Sequence, residues 1–314
     1  MKRLVSIIMV IFFSSAIFAQ VTEKEEDLKK VEIDSIEGWK TTAVFNLNFA
    51  QTSLTNWAAG GQNSISLNTL ASFSANYTKG NSSWDNTLDM GYGILRQGKD
   101  DNVSLQKMDD KIDFSSKYGY RVSENFHGAA LLSYRSQFTD GYNYPDDSTV
   151  ISGFMAPAYV LGALGMDYKP NKKLSVFAAP LTGKLTLVMN QALADSGAYG
   201  VEPAVMENGT VLTPGENMNA EFGGYVKVAY ADDIAENINL KTKIDLFSNY
   251  LENPEKIDIN WEMLISMKVN KLITVSLSTQ LLYDYDVKFE EEDGTKTDKV
   301  QFKELFGLGI SYKF

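Results

Sequence analysis

Residue types that perform covalent chemistry are scarce: the 314 residues include one histidine, His127, and no cysteine. An imidazole can take the proton of an attacking serine hydroxyl. His127 is followed by Gly128 and Ala129, so a hydrolase pattern with a serine two residues on is missing. There is no phosphate-binding glycine loop and no Gly-x-Ser-x-Gly elbow. The runs Glu290-Glu291-Glu292-Asp293 and Lys99-Asp100-Asp101-Asn102 carry adjacent carboxylates without a ligand-loop spacing, which reads as solvated charge. The expectation is a chain that is not an enzyme and holds no cofactor or metal.

Two groups of residues carry non-covalent chemistry. Asp85, Asp89, Asp109, Lys111, Asp113, Lys117, Arg121, Arg135, Lys241, Lys243, Asp245 and Glu262 recur at even spacings within short segments, with Asp167, Lys184, Glu221, Lys227, Lys268, Asp258 and Asp284 in the same pattern. Opposite charges on one face either line a watery filter or cross-link it by ion pairs. The other group is Asn56-Trp57-Ala58-Ala59-Gly60-Gly61. Trp57 offers an apolar body and one N–H donor, and the glycines permit a tight turn. Asn56, Trp57, Gly60 and Gly61 are candidates for a constriction at a channel mouth, or for a hook that pins Trp57 to a wall.

These residues sit on segments of period two, the mark of strands with two unlike faces. Twelve such segments run near 39–49, 64–77, 84–94, 109–121, 125–138, 156–169, 174–189, 219–230, 238–250, 257–269, 273–285 and 300–314. Pro180 and Gly183 interrupt the seventh and predict a bulge or kink. Helical periodicity is essentially absent after residue 38. Long and short connections alternate, the short ones at 79–83, 122–124, 170–173, 231–237 and 270–271. That alternation predicts an all-β, antiparallel up-and-down barrel of about twelve strands over 38–314.

The apolar face is expected to meet lipid. Trp39, Tyr77, Trp84, Tyr118, Tyr120, Phe126, Tyr168, Tyr230 and Phe314 mark the short-turn end, and Phe49, Phe138, Tyr283 and Tyr285 the other, as interfacial girdles do. The opposite face, rich in Ser, Asn, Asp and Lys, is too polar for a dry core. Met1–Ala19 has a basic start, a short apolar run and a small residue before the cut, which predicts a secretory signal peptide. Residues 20–37 are mostly charged and predict a periplasmic tail. The net charge of −11, from 29 basic and 40 acidic residues, argues against nucleic acid.

The segment Asn48 to Ser64, with Asn-Trp-Ala-Ala-Gly-Gly at its centre, resembles the opening of a family of Bacteroidota outer-membrane proteins classified only as a domain of unknown function. The resemblance runs from about Trp39 to Phe314 and implies an outer-membrane β-barrel, with no catalytic residues to carry over. The alternating last strand ending in Phe314 resembles the signal read by the outer-membrane assembly machinery. The expected setting is the bacterial outer membrane, with lipid as partner and both termini periplasmic. The expected role is passive passage of small hydrophilic solutes, narrowed at the outer mouth by Trp57 and the 190–218 loop. The competing role is a non-transporting barrel that scaffolds an envelope complex.

Overall fold

The computed structural model describes residues 37–54, 62–98, 105–171, 173–270, 273–291 and 293–310. The expected signal peptide, and all of the expected tail except Glu37, lie outside them. In chain order the strands are β1 (Gly38–Thr52), β2 (Ser64–Lys79), β3 (Ser82–Gln97), β4 (Gln106–Arg121), β5 (Phe126–Ser136), the short β6 (Gly141–Tyr142) and β7 (Val150–Ser152), β8 (Ala158–Tyr168) and β9 (Leu174–Leu187). A helix, α1 (Gln191–Asp195), and the hairpin β10 (Val205–Glu207) and β11 (Thr210–Thr213) follow. Then come β12 (Met218–Ala235), β13 (Ile238–Asn249), β14 (Ile257–Lys268), β15 (Ile273–Tyr283), the hairpin β16 (Lys288–Glu290) and β17 (Lys296–Asp298), and β18 (Gln301–Ile310).

The twelve long strands form one antiparallel sheet in the order β1-β2-β3-β4-β5-β8-β9-β12-β13-β14-β15-β18. Each pairs with the long strand before it in the chain, so the sheet is up-and-down, as the alternating connections predict. Among the described residues β1 and β18 do not pair with each other, so the closed barrel expected from the sequence is not seen in them. The sheet is a curled meander with two edges.

Its curl is read from contacts across it. Arg135 on β5 lies 3.4 Å from Asp245 on β13. Those strands are four spacings apart in the sheet, about 19 Å along it at ~4.8 Å each. Two side chains meet over such an arc only if their face is concave. The charged face is therefore the inner one. The outer face exposes Phe73, Trp84, Leu164, Leu181 and Phe222, each at 42 % or more. Aromatic rings meet at the short-turn end, where Trp39 packs 5.2 Å from Tyr77 and 5.6 Å from Trp84, and Phe126 packs 4.8 Å from Tyr168. Polar groups on this outer face satisfy one another. Trp84 Nε1 donates to Ser116 Oγ, Ser116 to Asn86 Oδ1, and Asn86 Nδ2 to the Ala75 carbonyl.

The predicted bulge is at Pro180. Met166 faces Ala178 and Leu164 faces Leu181, so β9 inserts one extra residue there. The same shift recurs against β12. Proline has no N–H to offer a ladder, and a bulge removes the need for one. Inward residues consequently change parity, from Ser175, Phe177 and Ala179 to Thr182, Lys184 and Thr186, all buried. Gly165 faces the bulge across the pair, and a Cβ there would collide with the Ala178 carbonyl oxygen.

Two connections differ from expectation. The 231–237 segment is mostly strand: β12 runs to Ala235, because Asp233 and Ala235 still pair with Asn239 and Ile238. Only Glu236 and Asn237 turn, with Asn237 at φ +63°. The 190–218 loop contains a true helix, α1, capped by the Asn190 side chain, which accepts from the Ala192 and Leu193 amides. At five residues it is too short to show a period. Its Ala194 packs with Ala156, Val188 and Val201 in a small apolar core that fixes the loop to the strand ends.

Candidate functional site

The most developed constellation lies on the inner face. Asp113 on β4 receives Arg135 Nε at 3.4 Å and Lys111 at 3.5 Å. Arg135 also reaches Asp245, which takes Lys227 at 3.8 Å and the Tyr225 hydroxyl at 2.6 Å. Lys243 pairs with Glu262 at 3.1 Å. This belt draws on β4, β5, β12, β13 and β14. Antiparallel register explains part of it, since Asp113 stands opposite Arg135, Lys227 opposite Asp245, and Lys243 opposite Glu262. Curvature alone explains Arg135 with Asp245.

A second group lies toward the short turns. Asp167, 1 % exposed, accepts from Lys117 at 2.8 Å and Ser175 at 2.7 Å, and has Lys169 at 3.2 Å. A third lies toward the long loops, where Lys184 meets Glu221 at 3.0 Å, Asp258 at 2.7 Å and Asp284 at 3.7 Å. In the adjoining connection, burial and the neighbouring Asp284 push the Asp286 carboxyl up to about 6. Several carboxylates share one ammonium there, and holding a proton relieves the repulsion.

Of the residues expected at the site, Lys111, Asp113, Arg135, Lys243, Asp245 and Glu262 come together in the belt, and Lys117 joins the second group. Lys241 is buried on the same face of β13. The register sets Asp85 opposite Lys117 and Asp89 opposite Asp113, at the edge of the network. Asp109 accepts from the Asp110 amide, and Arg121 stands exposed at the short-turn end of β4. Asn56, Trp57, Gly60, Gly61 and Phe314 lie outside the described residues. Sequence reading missed Tyr225 and Lys169. Tyr225 was legible in principle, because it shares parity with Glu221 and Lys227, but an aromatic in an alternating strand reads as apolar. Lys169 shares parity with Asp167 at the end of the 156–169 segment and was likewise legible in principle, one residue past the end of β8.

Residues 49–142 match the protein family of unknown function DUF3078. The matched stretch runs from the outer part of β1 to β6. No curated protein sequence matches the chain. Similar solved structures include a NanC porin, at 9 % identity and TM-score 0.37, covering 79 % of this chain and 94 % of that one. The translocator domain of the autotransporter NalP from Neisseria meningitidis is 11 % identical, with TM-score 0.36 and 94 % of both chains covered. The FrpB iron transporter from Neisseria meningitidis is 9 % identical with TM-score 0.36, covering 87 % of this chain and 45 % of that one.

Proposed function

We propose that the chain is an outer-membrane β-barrel, closed between β1 and β18, that passes small hydrophilic solutes passively along its inner face. The observation that carries this reading is the inverted distribution of side chains. Leu164, Leu181 and Phe222 are exposed on the convex face, while Asp167, Lys184, Glu221, Lys241 and Asp245 are buried on the concave one. In water such a molecule would present its apolar wall to the solvent and hold its charges in the core. In a bilayer both faces are matched, as in outer-membrane barrels. Strand length agrees: an eleven-residue strand such as β8, tilted by ~40°, rises about 28 Å, enough for an apolar band of ~25 Å.

In this reading the aromatic contacts around Trp39 lie at the periplasmic interface, with both termini on that side. Residues 1–19 are the export signal, and Phe314 is what the assembly machinery recognises. Arg135, Lys227 and Lys243 are enclosed by the wall yet keep about a third of their side-chain surface accessible, at 36 %, 30 % and 29 %. That pattern suits a narrow, wet lumen filtered by paired charges, and the reading involves no catalytic step. Liposome swelling and planar-bilayer conductance test it. Uptake of small sugars and a steady conductance are expected. An impermeable barrel that co-purifies with one fixed envelope protein would replace the channel with the scaffold reading.

A further inference from the structure

The inner face is not uniform. From β5 to β13 it carries a dry patch beside the partly accessible charges of the belt: Ala129, Leu131, Ala163, Phe177, Tyr225 and Phe247 belong to one apolar cluster, each 8 % exposed or less. Charges cap this cluster. Lys184 Nζ lies 5.2 Å from the centroid of Phe247, and Tyr225, 6.2 Å from Phe177 between ring centroids, donates to Asp245. The Arg135–Asp245 pair ties the two borders of this half together over β8, β9 and β12. An apolar patch sealed by ion pairs excludes water as a domain core does.

The other half differs in composition and exposure. Inward positions on β2, β3, β14 and β15 include Asn76, Thr87, Asn260 and Gln280, all of them partly exposed. Gly91 and Gly93 on β3 and Ser74 on β2 share this face and are buried among them. The Gln280 amide donates to Asn260 Oδ1 at 3.2 Å, an uncharged contact between neighbouring strands. Of the carboxylates on this side, Asp85 and Asp89 stand opposite Lys117 and Asp113 at its border with β4, and Asp258 and Glu262 on β14 are held by Lys184 and Lys243.

We infer that the lumen is off-centre. The solute path runs along β14–β15 and β2–β3, across the β18–β1 seam and past the accessible side of the Arg135–Lys227–Lys243 belt, and the apolar cluster of the β5–β13 half is a dry wall that does not line it. This deepens the channel reading above and rests on it. The lining is mostly amide, hydroxyl and backbone, and its carboxylates Asp258 and Glu262 are engaged by Lys184 and Lys243, as the charges of the belt are largely engaged with one another. The solutes that fit are therefore small, uncharged and polar, carrying hydroxyl or amide groups that exchange hydrogen bonds with the wall.

The absence of cysteine makes single-cysteine variants unambiguous. Thr87→Cys and Gln280→Cys report on the proposed path, and Ala163→Cys and Ala129→Cys on the dry wall. Each folded variant, checked by gel mobility before and after heating, is reconstituted and treated with a water-soluble methanethiosulfonate. Modification is followed by mass and by conductance. Modification of the path variants about 100-fold faster than of the wall variants is expected, since thiol reactivity follows access, together with reduced conductance. Equal rates, or faster modification of Ala163→Cys and Ala129→Cys, would overturn the off-centre path. A barrel without any conductance before modification defeats the channel reading instead, while the mass measurement still judges which half is wet.

Discussion

Strands β3 and β9 belong to the same sheet and both alternate, β9 with a change of parity at its Pro180 bulge, yet their inner faces are different places. On β9, Ser175, Phe177, Ala179, Thr182, Lys184 and Thr186 are all buried. On β3, Asp85, Thr87 and Asp89 keep partial exposure. The outer faces match, with Trp84 and Leu181 both exposed. What separates the strands is their surroundings: β9 lies beneath the Arg135–Asp245 link and beside Phe177, Tyr225 and Phe247. Alternation sets which way a side chain points, whereas burial depends on what the curvature of the wall brings over it.

The largest expected contrast between the two halves comes from charge removal. Asp167→Ala leaves Lys117 and Lys169 without the carboxylate that both approach, and the loss of a buried partner costs about 3–5 kcal/mol. Asp89→Asn on the wetter side is expected to cost less than about 1 kcal/mol. Urea unfolding of the refolded barrel compares them, and equal losses would break the distinction. A smaller effect attends the bulge. Gly165→Ala drives a Cβ against the Ala178 carbonyl and is expected to cost about 1–3 kcal/mol, whereas Gly162→Ala meets open space and stays within about 0.5 kcal/mol.

The smallest effect is a pH dependence at the long-loop end. The Asp286 carboxyl titrates at about 6 in the folded chain, above the ~3.9 of an unfolded aspartate. The folded state therefore holds the proton more tightly, and the contribution to stability falls as pH rises from about 4 through 6. Asp286→Asn is expected to raise the melting temperature by about 2–4 °C at pH 8 and to leave it unchanged at pH 4. A gain that persists at pH 4 would trace the effect to packing and not to the burial of an ionised Asp286 beside Asp284.

Much of this was readable residue by residue. The faces of Asp113, Lys117, Arg135 and Asp245 followed from parity, and Pro180 announced the bulge because a proline cannot donate to a ladder. Local chemistry also set the antiparallel order, since short connections such as Gly80-Asn81 leave adjacent strands no other way to pair. The five residues of α1 escaped because one turn has no period, and Ala231 to Ala235 escaped because their mixed polarity resembled a turn.

The sequence by itself thus determined an all-β, up-and-down sheet with one apolar and one charged face, since these follow from period, turn chemistry and nearest-neighbour pairing. The tertiary structure decided which face is concave, that Arg135 meets Asp245 across three intervening strands, and that an apolar cluster is buried on part of the inner wall. Those facts depend on curvature accumulated over the whole sheet, a property that no short window of residues carries.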